Sequence, residues 1–173
     1  MPSSYQAPSR QDKKQTTTHS QSSKSNVASE TATVRKILET KGSDIFALRP
    51  QNTLHEAVEM LRDKRIGALL VRDSEGNLQG ILSERDIVRR LAETPGQTLG
   101  QTVGDIMTTT VEVCSPDDAL ITVLRKMTDG RFRHMPVVDN GVLAGIITIG
   151  DVVNYRLNEL EYEALRLKQL IVG

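Results

Sequence analysis

The stretch GILSERDIV, Gly80 to Val88, returns as GIITIGDVV, Gly145 to Val153. Glycine, isoleucine, a hydroxyl residue, aspartate and a closing valine hold the same places in both. The repetition extends outward on either side. Asp63-Lys-Arg-Ile66 matches Asp129-Gly-Arg-Phe132, and Leu54, Ala57, Val58 and Leu61 match Leu120, Val123, Leu124 and Met127 without a gap. Val34, Ile37 and Leu38 match Val103, Ile106 and Met107. Self-similarity on this scale marks one supersecondary unit written twice.

Each copy carries the same element signals. Thr53 and Glu56 form an S/T-x-x-E capping box ahead of an apolar stripe at helical spacing; in the second copy Ser115 is placed to cap, with Pro116 in the first turn. ALLVRD (Ala68 to Asp73), the turn Ser74 to Asn77 and LQGIL (Leu78 to Leu82) read as a hairpin, answered by HMPVVD, Asn140-Gly141 and VLAGII. Ser83 and Thr148 then open second helices. The fold class is therefore α+β, two β-α-β-β-α repeats. Units of roughly 60 residues hold weak cores alone, so the copies are expected to pack as a pseudo-twofold pair. The expected organisation is a disordered tail over 1–32, repeats over 33–95 and 96–156, and a C-terminal helix over 157–173.

Composition narrows the function classes. Among 173 residues, 22 basic side chains balance 22 acidic ones, which points away from nucleic acid and anionic membranes. The single cysteine, Cys114, excludes an internal disulfide framework and a cysteine-based zinc cluster, and reads as a small core thiol. No apolar run is long enough to span a bilayer. The expectation is a soluble, cytoplasmic protein. The first thirty or so residues are rich in Ser, Thr and Gln and poor in large apolar residues, the pattern of a disordered tail; their acid-poor, hydroxyl-rich character also fits organelle import.

The duplicated G-h-h-[ST]-x-x-D segments, the leading Ile37-Leu38 and Asp105-Ile106-Met107, and Arg133-His-Met-Pro-Val137 together resemble a tandem pair of cystathionine-β-synthase (CBS) domains, a Bateman module. SERDIVR, GRFRHMPV and TIGDVV are similar to those of small stand-alone CBS-pair proteins of bacteria and plant organelles. The resemblance implies a regulatory, energy-sensing module that binds adenosine nucleotides, AMP, ADP, ATP or NAD(H), in the cleft between repeats, with no cofactor required. It also implies a homodimer.

On the residues alone, Ser83 with Asp86 and Thr148 with Asp151 are helix caps. The resemblance adds a ligand role: Asp86 and Asp151 for ribose hydroxyls, Ser83 and Thr148 near ribose or phosphate, and Arg85, Arg131, Arg133 and His134 for phosphate. Guanidinium forks suit phosphate; Arg89 and Arg90 are read as solvated surface charges. An adenine ring needs apolar walls with backbone polar groups, for which Ile45, Ile66, Gly67, Ala68, Thr110, Val111, Phe132, Met135 and Pro136 are placed, with core packing as the alternative for Ile66, Phe132 and Met135. Ile149-Gly150 stand where the first copy has Glu84-Arg85, so the two sites are expected to differ.

No nucleophile elbow, H-E-x-x-H, P-loop or dinucleotide fingerprint is present, and the three histidines are scattered. An enzyme and a metal site are not expected. Leu157, Leu160, Ala164, Leu167 and Ile171 make a narrow apolar seam for self-association, the alternative being that it folds back on its own repeats. The competing function is a ligand-independent interaction protein acting through its dimer surface; an unknown protein target is implied by either reading.

Overall fold

A computed structural model describes residues 32–42 and 44–172. The expectation of disorder for the tail falls, up to residue 31, outside the described residues. Among them no helix is long and apolar enough to cross a membrane.

The first unit runs α1 (Val34–Lys41), β1 (Ala47–Leu48), α2 (Leu54–Lys64), β2 (Ala68–Arg72), β3 (Leu78–Ser83) and α3 (Glu84–Glu93). The second runs α4 (Leu120–Gly130), β4 (His134–Asp139), β5 (Val142–Thr148) and α5 (Ile149–Val172), after a 3-10 turn at Val103–Asp105. The Thr53 box forms as read: Thr53 N–H donates to Glu56 Oε2 at 2.7 Å and Thr53 Oγ1 accepts from Glu56 N–H at 3.3 Å. Leu54, Ala57 and Leu61 are buried along one stripe of α2, as Leu120, Val123 and Met127 are along α4. β2 lies between a parallel β1 and an antiparallel β3, and Ala68 to Val71 are all buried, the continuous apolar run of a covered central strand. Both hairpins shift register at matched places, between Val71 and Arg72 and between Val137 and Val138. Asn140 (φ 49) and Gly141 (φ 81) close the second hairpin in two left-handed residues. The second copy's first strand shrinks to one parallel bridge, Cys114 to Val137.

One expectation changes. Ser115 does not cap α4: it closes a turn of its own, donating to Asp118, and the helix begins at Leu120 after Ala119, which makes no side-chain cap. That turn is held open because its carbonyls are used elsewhere, Asp118 O by Val34 N–H at 3.0 Å and Pro116 O by Arg35 N–H at 2.8 Å. The C-terminal seam, in turn, belongs to one 24-residue helix that continues from the second repeat's closing helix. Val152 is buried, whereas Leu157, Leu160, Leu167 and Ile171 are exposed, so the seam does not fold back on the repeats.

The cores are crossed. Val34 and Ile37 of α1 sit with Cys114, Leu120, Val123, Met127, Met135, Val137, Ile147 and Val152, in the core of the second unit. Val103, with Ile106 and Met107 beside it, sits with Leu54, Ala57, Leu61, Leu69, Val71 and Leu82 in the core of the first. Backbone bonds repeat the exchange: Leu120 N–H donates to Ala32 O at 2.9 Å, and Leu54 N–H to Gln101 O at 2.9 Å; Val103 N–H donates to Asn52 O at 2.8 Å and Gly104 N–H to Pro50 O at 2.9 Å. The segment that leads each copy in sequence thus completes the other in space.

The repeated glycines of the opening figure receive these segments. A Cβ on Gly80 would stand 2.8 Å from Thr108 O and 2.9 Å from Met107 Sδ; one on Gly145 would meet only Leu38 Cδ2, at 2.9 Å. A backbone carbonyl cannot swing aside, but the tip of a leucine can. Gly80→Ala is therefore expected to cost about 1–3 kcal/mol in urea unfolding and Gly145→Ala less than about 1 kcal/mol. Equal losses at the two positions would refute this account of the exchange.

Candidate functional site

The N-terminus of α3 and the C-terminus of α4 face each other across the boundary between units and enclose a cleft of about 540 Å³. This is the size of a small-ligand pocket. Its floor begins with the repeated figure. Ser83 N–H and Oγ both donate to Asp86 Oδ2, at 2.9 and 2.6 Å, while Ser83 Oγ accepts from Asp86 N–H at 3.4 Å. Capping thus uses one carboxylate oxygen, Oδ2, and none of these bonds goes to Oδ1. Glu84 N–H donates to Gly67 O at 3.0 Å, fixing the start of α3 against the start of β2; Ile149 N–H to Arg133 O at 2.9 Å does the same in the second unit.

The opposite wall comes from the second unit. Arg131 ends α4 in a left-handed conformation, φ 56, as Arg65 ends α2 at φ 55. Arg131 O accepts from Arg85 Nη1 at 2.8 Å, a bond that crosses between the copies. Phe132 turns back over Gly130, where a Cβ would come within 2.3 Å of the ring. Glycine at the end of α4 is what allows the ring to lie along the wall.

Of the residues expected at a site, the cleft gathers Gly67, Ser83, Arg85, Asp86, Thr110, Val111, Arg131, Phe132, Arg133 and His134. Met135, Pro136 and Ala68 are buried, with Met135 in the second core, and Ile66 packs against the first. Ile45 is half-buried ahead of β1. Thr148 and Asp151 form the matching figure at the start of α5: Asp151 Oδ2 accepts from Thr148 N–H at 2.8 Å and from Lys41 Nζ at 2.6 Å, and Thr148 Oγ1 accepts from Asp151 N–H at 3.1 Å.

Some lining residues were missed from sequence. Arg89, read as a surface charge, reaches the cleft because it lies one turn beyond Arg85 on α3. Arg90 instead donates to Gln101 Oε1 at 2.8 Å, a structural contact. Glu84 and Glu112 add carboxylates to the lining. Glu84 had a signal in the helix-start position beside Ser83; Glu112 had only its place near Thr110 and Val111. The cleft therefore mixes four guanidinium groups, Arg85, Arg89, Arg131 and Arg133, with three carboxylates, Glu84, Asp86 and Glu112.

His134 occupies the space above Gly67, where a Cβ would be 3.2 Å from its Nε2. Its pKa is lowered first by burial and then by the Lys41 charge, with Glu84 and Asp151 acting in the opposite sense. Cys114 is 3% exposed and burial pushes its thiol up to about 12, which makes it a core side chain and not a nucleophile. Among the described residues, no three His, Cys, Asp or Glu side chains are grouped to hold a metal ion.

Comparison with known proteins gives the same frame. The CBS domain family matches residues 34–93 and 103–158. The chain is 30% identical over 152 residues to the mitochondrial CBS domain-containing protein CBSX3 of Arabidopsis thaliana, an alignment spanning 83% of this chain and 74% of that protein. Among solved structures it is similar to the CBS-domain containing protein ATU1752 of Agrobacterium tumefaciens, with 41% identity and a TM-score of 0.71 over 72% of this chain and 99% of that one. It is also similar to CBSX2 in complex with AMP, with 30% identity and a TM-score of 0.60 over 73% and 96% of the two chains.

The lowered pKa of His134 has a signed consequence. The folded protein holds the imidazole neutral where the unfolded chain, with its ordinary value near 6.5, takes up a proton. Stability linked to His134 is therefore complete above that ordinary value and is lost as pH falls toward the folded one. Urea midpoints between about pH 7.5 and about pH 5 are expected to fall less in His134→Gln than in wild type. The same fall in both proteins would overturn the assignment.

Proposed function

We propose, for a chain that belongs to the CBS-domain family and carries its unit twice, that the cleft at Asp86 binds an adenosine nucleotide, with AMP as the first ligand to test, and that binding biases the relative placement of the two units. The observation that carries the reading is the meeting of Asp86 with Arg85, Arg131 and Arg133 in one cleft built from both copies.

Vicinal ribose hydroxyls are donors, and Asp86 retains Oδ1 to accept them while Oδ2 caps α3. The phosphate belongs with the guanidinium groups, where charge-assisted bonds are strong. Thr110, Val111 and Phe132 supply the wall for the base. The AMP complex of the similar CBSX2 structure supports this ligand class. ADP and ATP carry the same adenosine with more negative charge, and the carboxylates of Glu84 and Glu112 in the lining favour the monophosphate over them; NAD(H) carries the adenosine with a second nucleoside attached through its pyrophosphate.

Because both units line the cleft, ligand contacts differ with their relative angle, which is the condition for a ligand to shift a conformational equilibrium. This role is regulatory and calls for no catalytic residue and no cofactor. The signal passes to a protein target and through a homodimer, for which Val88, Leu91, Val153, Leu157 and Leu160, each at least 42% exposed on α3 and α5, present an apolar surface. In sedimentation experiments, the Leu157→Glu/Leu160→Glu variant is expected to be monomeric and wild type dimeric.

Calorimetric titration tests the ligand. Asp86→Asn keeps a capping oxygen and is expected to weaken AMP about ten-fold or more, because a charge-assisted acceptor becomes a neutral one. Arg133→Ala is expected to weaken AMP more than adenosine, since it removes a phosphate partner and leaves the ribose contact. Equal loss for both ligands would refute the phosphate role. No heat from wild type with AMP, ATP or NADH would instead favour an interaction protein whose carboxylates only cap helices.

A further inference from the structure

The two carboxylates of the repeated figure stand in unequal surroundings, and the difference lies in the exchanged leading segments. Val34, Ile37 and Leu38 match Val103, Ile106 and Met107, which places Lys41 opposite Thr110. The matched positions do different things. In the second copy the 3-10 turn ends at Asp105, Met107 N–H still donates back to Val103 O at 2.9 Å, and the chain then bridges to β3: Thr108 N–H donates to Ile81 O at 2.9 Å and Thr108 O accepts from Ile81 N–H at 3.0 Å, leaving Thr110 on the wall of the Asp86 cleft. In the first copy α1 stays helical through Lys41. Ile146 O, the counterpart of Ile81 O, accepts from Lys41 Nζ at 3.3 Å, and the same ammonium lies 2.6 Å from Asp151 Oδ2. Local sequence explains the split: Arg35, Lys36, Leu38, Glu39 and Lys41 favour helix, whereas Gly104 and the β-branched run Thr108 to Thr110 do not.

We propose that Lys41 is an internal cation that occupies the second copy's carboxylate, so that the chain takes one adenosine ligand, at Asp86, while the Asp151 site stays closed. This rests on the nucleotide reading above and narrows it to one site of the pair. Part of the second site's frame is retained, although Ile149-Gly150 stand where the first copy has Glu84-Arg85. Thr148 and Asp151 repeat the capping geometry of Ser83 and Asp86, and Arg65 holds the same left-handed conformation as Arg131. Lys41 replaces what a ribose would bring. Its ammonium donates to the carboxylate and to the neighbouring strand carbonyl; the Lys41 side chain is 36% exposed and that of Asp151 is 23% exposed. A ribose hydroxyl would bring a neutral donor to a carboxylate that already accepts a charge-assisted one.

The test is the number of AMP molecules bound per chain, by calorimetry, in wild type, Lys41→Thr and Lys41→Met. The first variant installs the residue found at Thr110; the second keeps the aliphatic stem and removes the charge. Wild type is expected to bind one AMP and each variant two, with the added site lost again in Lys41→Thr/Asp151→Asn. Two sites in wild type, or no site gained in either variant, would overturn the inference. A wild type that binds none while Lys41→Thr gains a site would leave Lys41 as the plug and overturn the Asp86 reading instead; no binding in any of the proteins would overturn both.

Discussion

The structure depends on the exchange of leading segments between its two units. Val34 and Ile37 fill a core that otherwise belongs to the second copy, and Val103 fills the core of the first. Neither copy has its full set of buried side chains without the other. The hydrogen bonds of the exchange come in matched pairs, so the pseudo-twofold relation follows from a shared core and not from surface docking. Small units with weak cores gain from such sharing.

The exchange also makes the cleft. Once the segment after Val103 crosses to the first unit, Thr108 joins the edge of β3 and Thr110 and Val111 come to face the start of α3. The opposite side is the end of α4, held by the Arg85 to Arg131 bond. A ligand between these parts touches both units at once. The proposed sensing by relative movement rests on where the cleft lies, since contacts on one unit alone do not distinguish two placements.

Near-identical frames carry unequal chemistry here. The same glycine receives a backbone carbonyl in one unit and the tip of a leucine in the other, and the Asp151 carboxylate is paired with Lys41 whereas, among the described residues, Asp86 forms no ion pair. Each difference traces to one feature, the helix of α1 against the short turn at Val103–Asp105. Repetition supplies two frames; local helix propensity decides which of them stays open.

Much of this was legible in the chain itself. Duplication of GILSERDIV, the Thr53 capping box and the alternation of stripes and hairpins identify an α+β pair of repeats, because helix periodicity and turn chemistry are local. Asp86 and three of the cleft's four guanidinium groups, Arg85, Arg131 and Arg133, were also named from the sequence, through the motifs that carry the family resemblance. What tertiary structure decided is which copy each leading segment completes, that Arg89 reaches the cleft, that Met135 belongs to the core, that Ser115 is drawn into a separate turn, and that Lys41 reaches Asp151. These depend on contacts between residues far apart in sequence, for which neither periodicity nor spacing carries a signal: one copy looks the same whether it keeps its own leading segment or gives it to its neighbour, and only the packing of both cores at once selects the exchange.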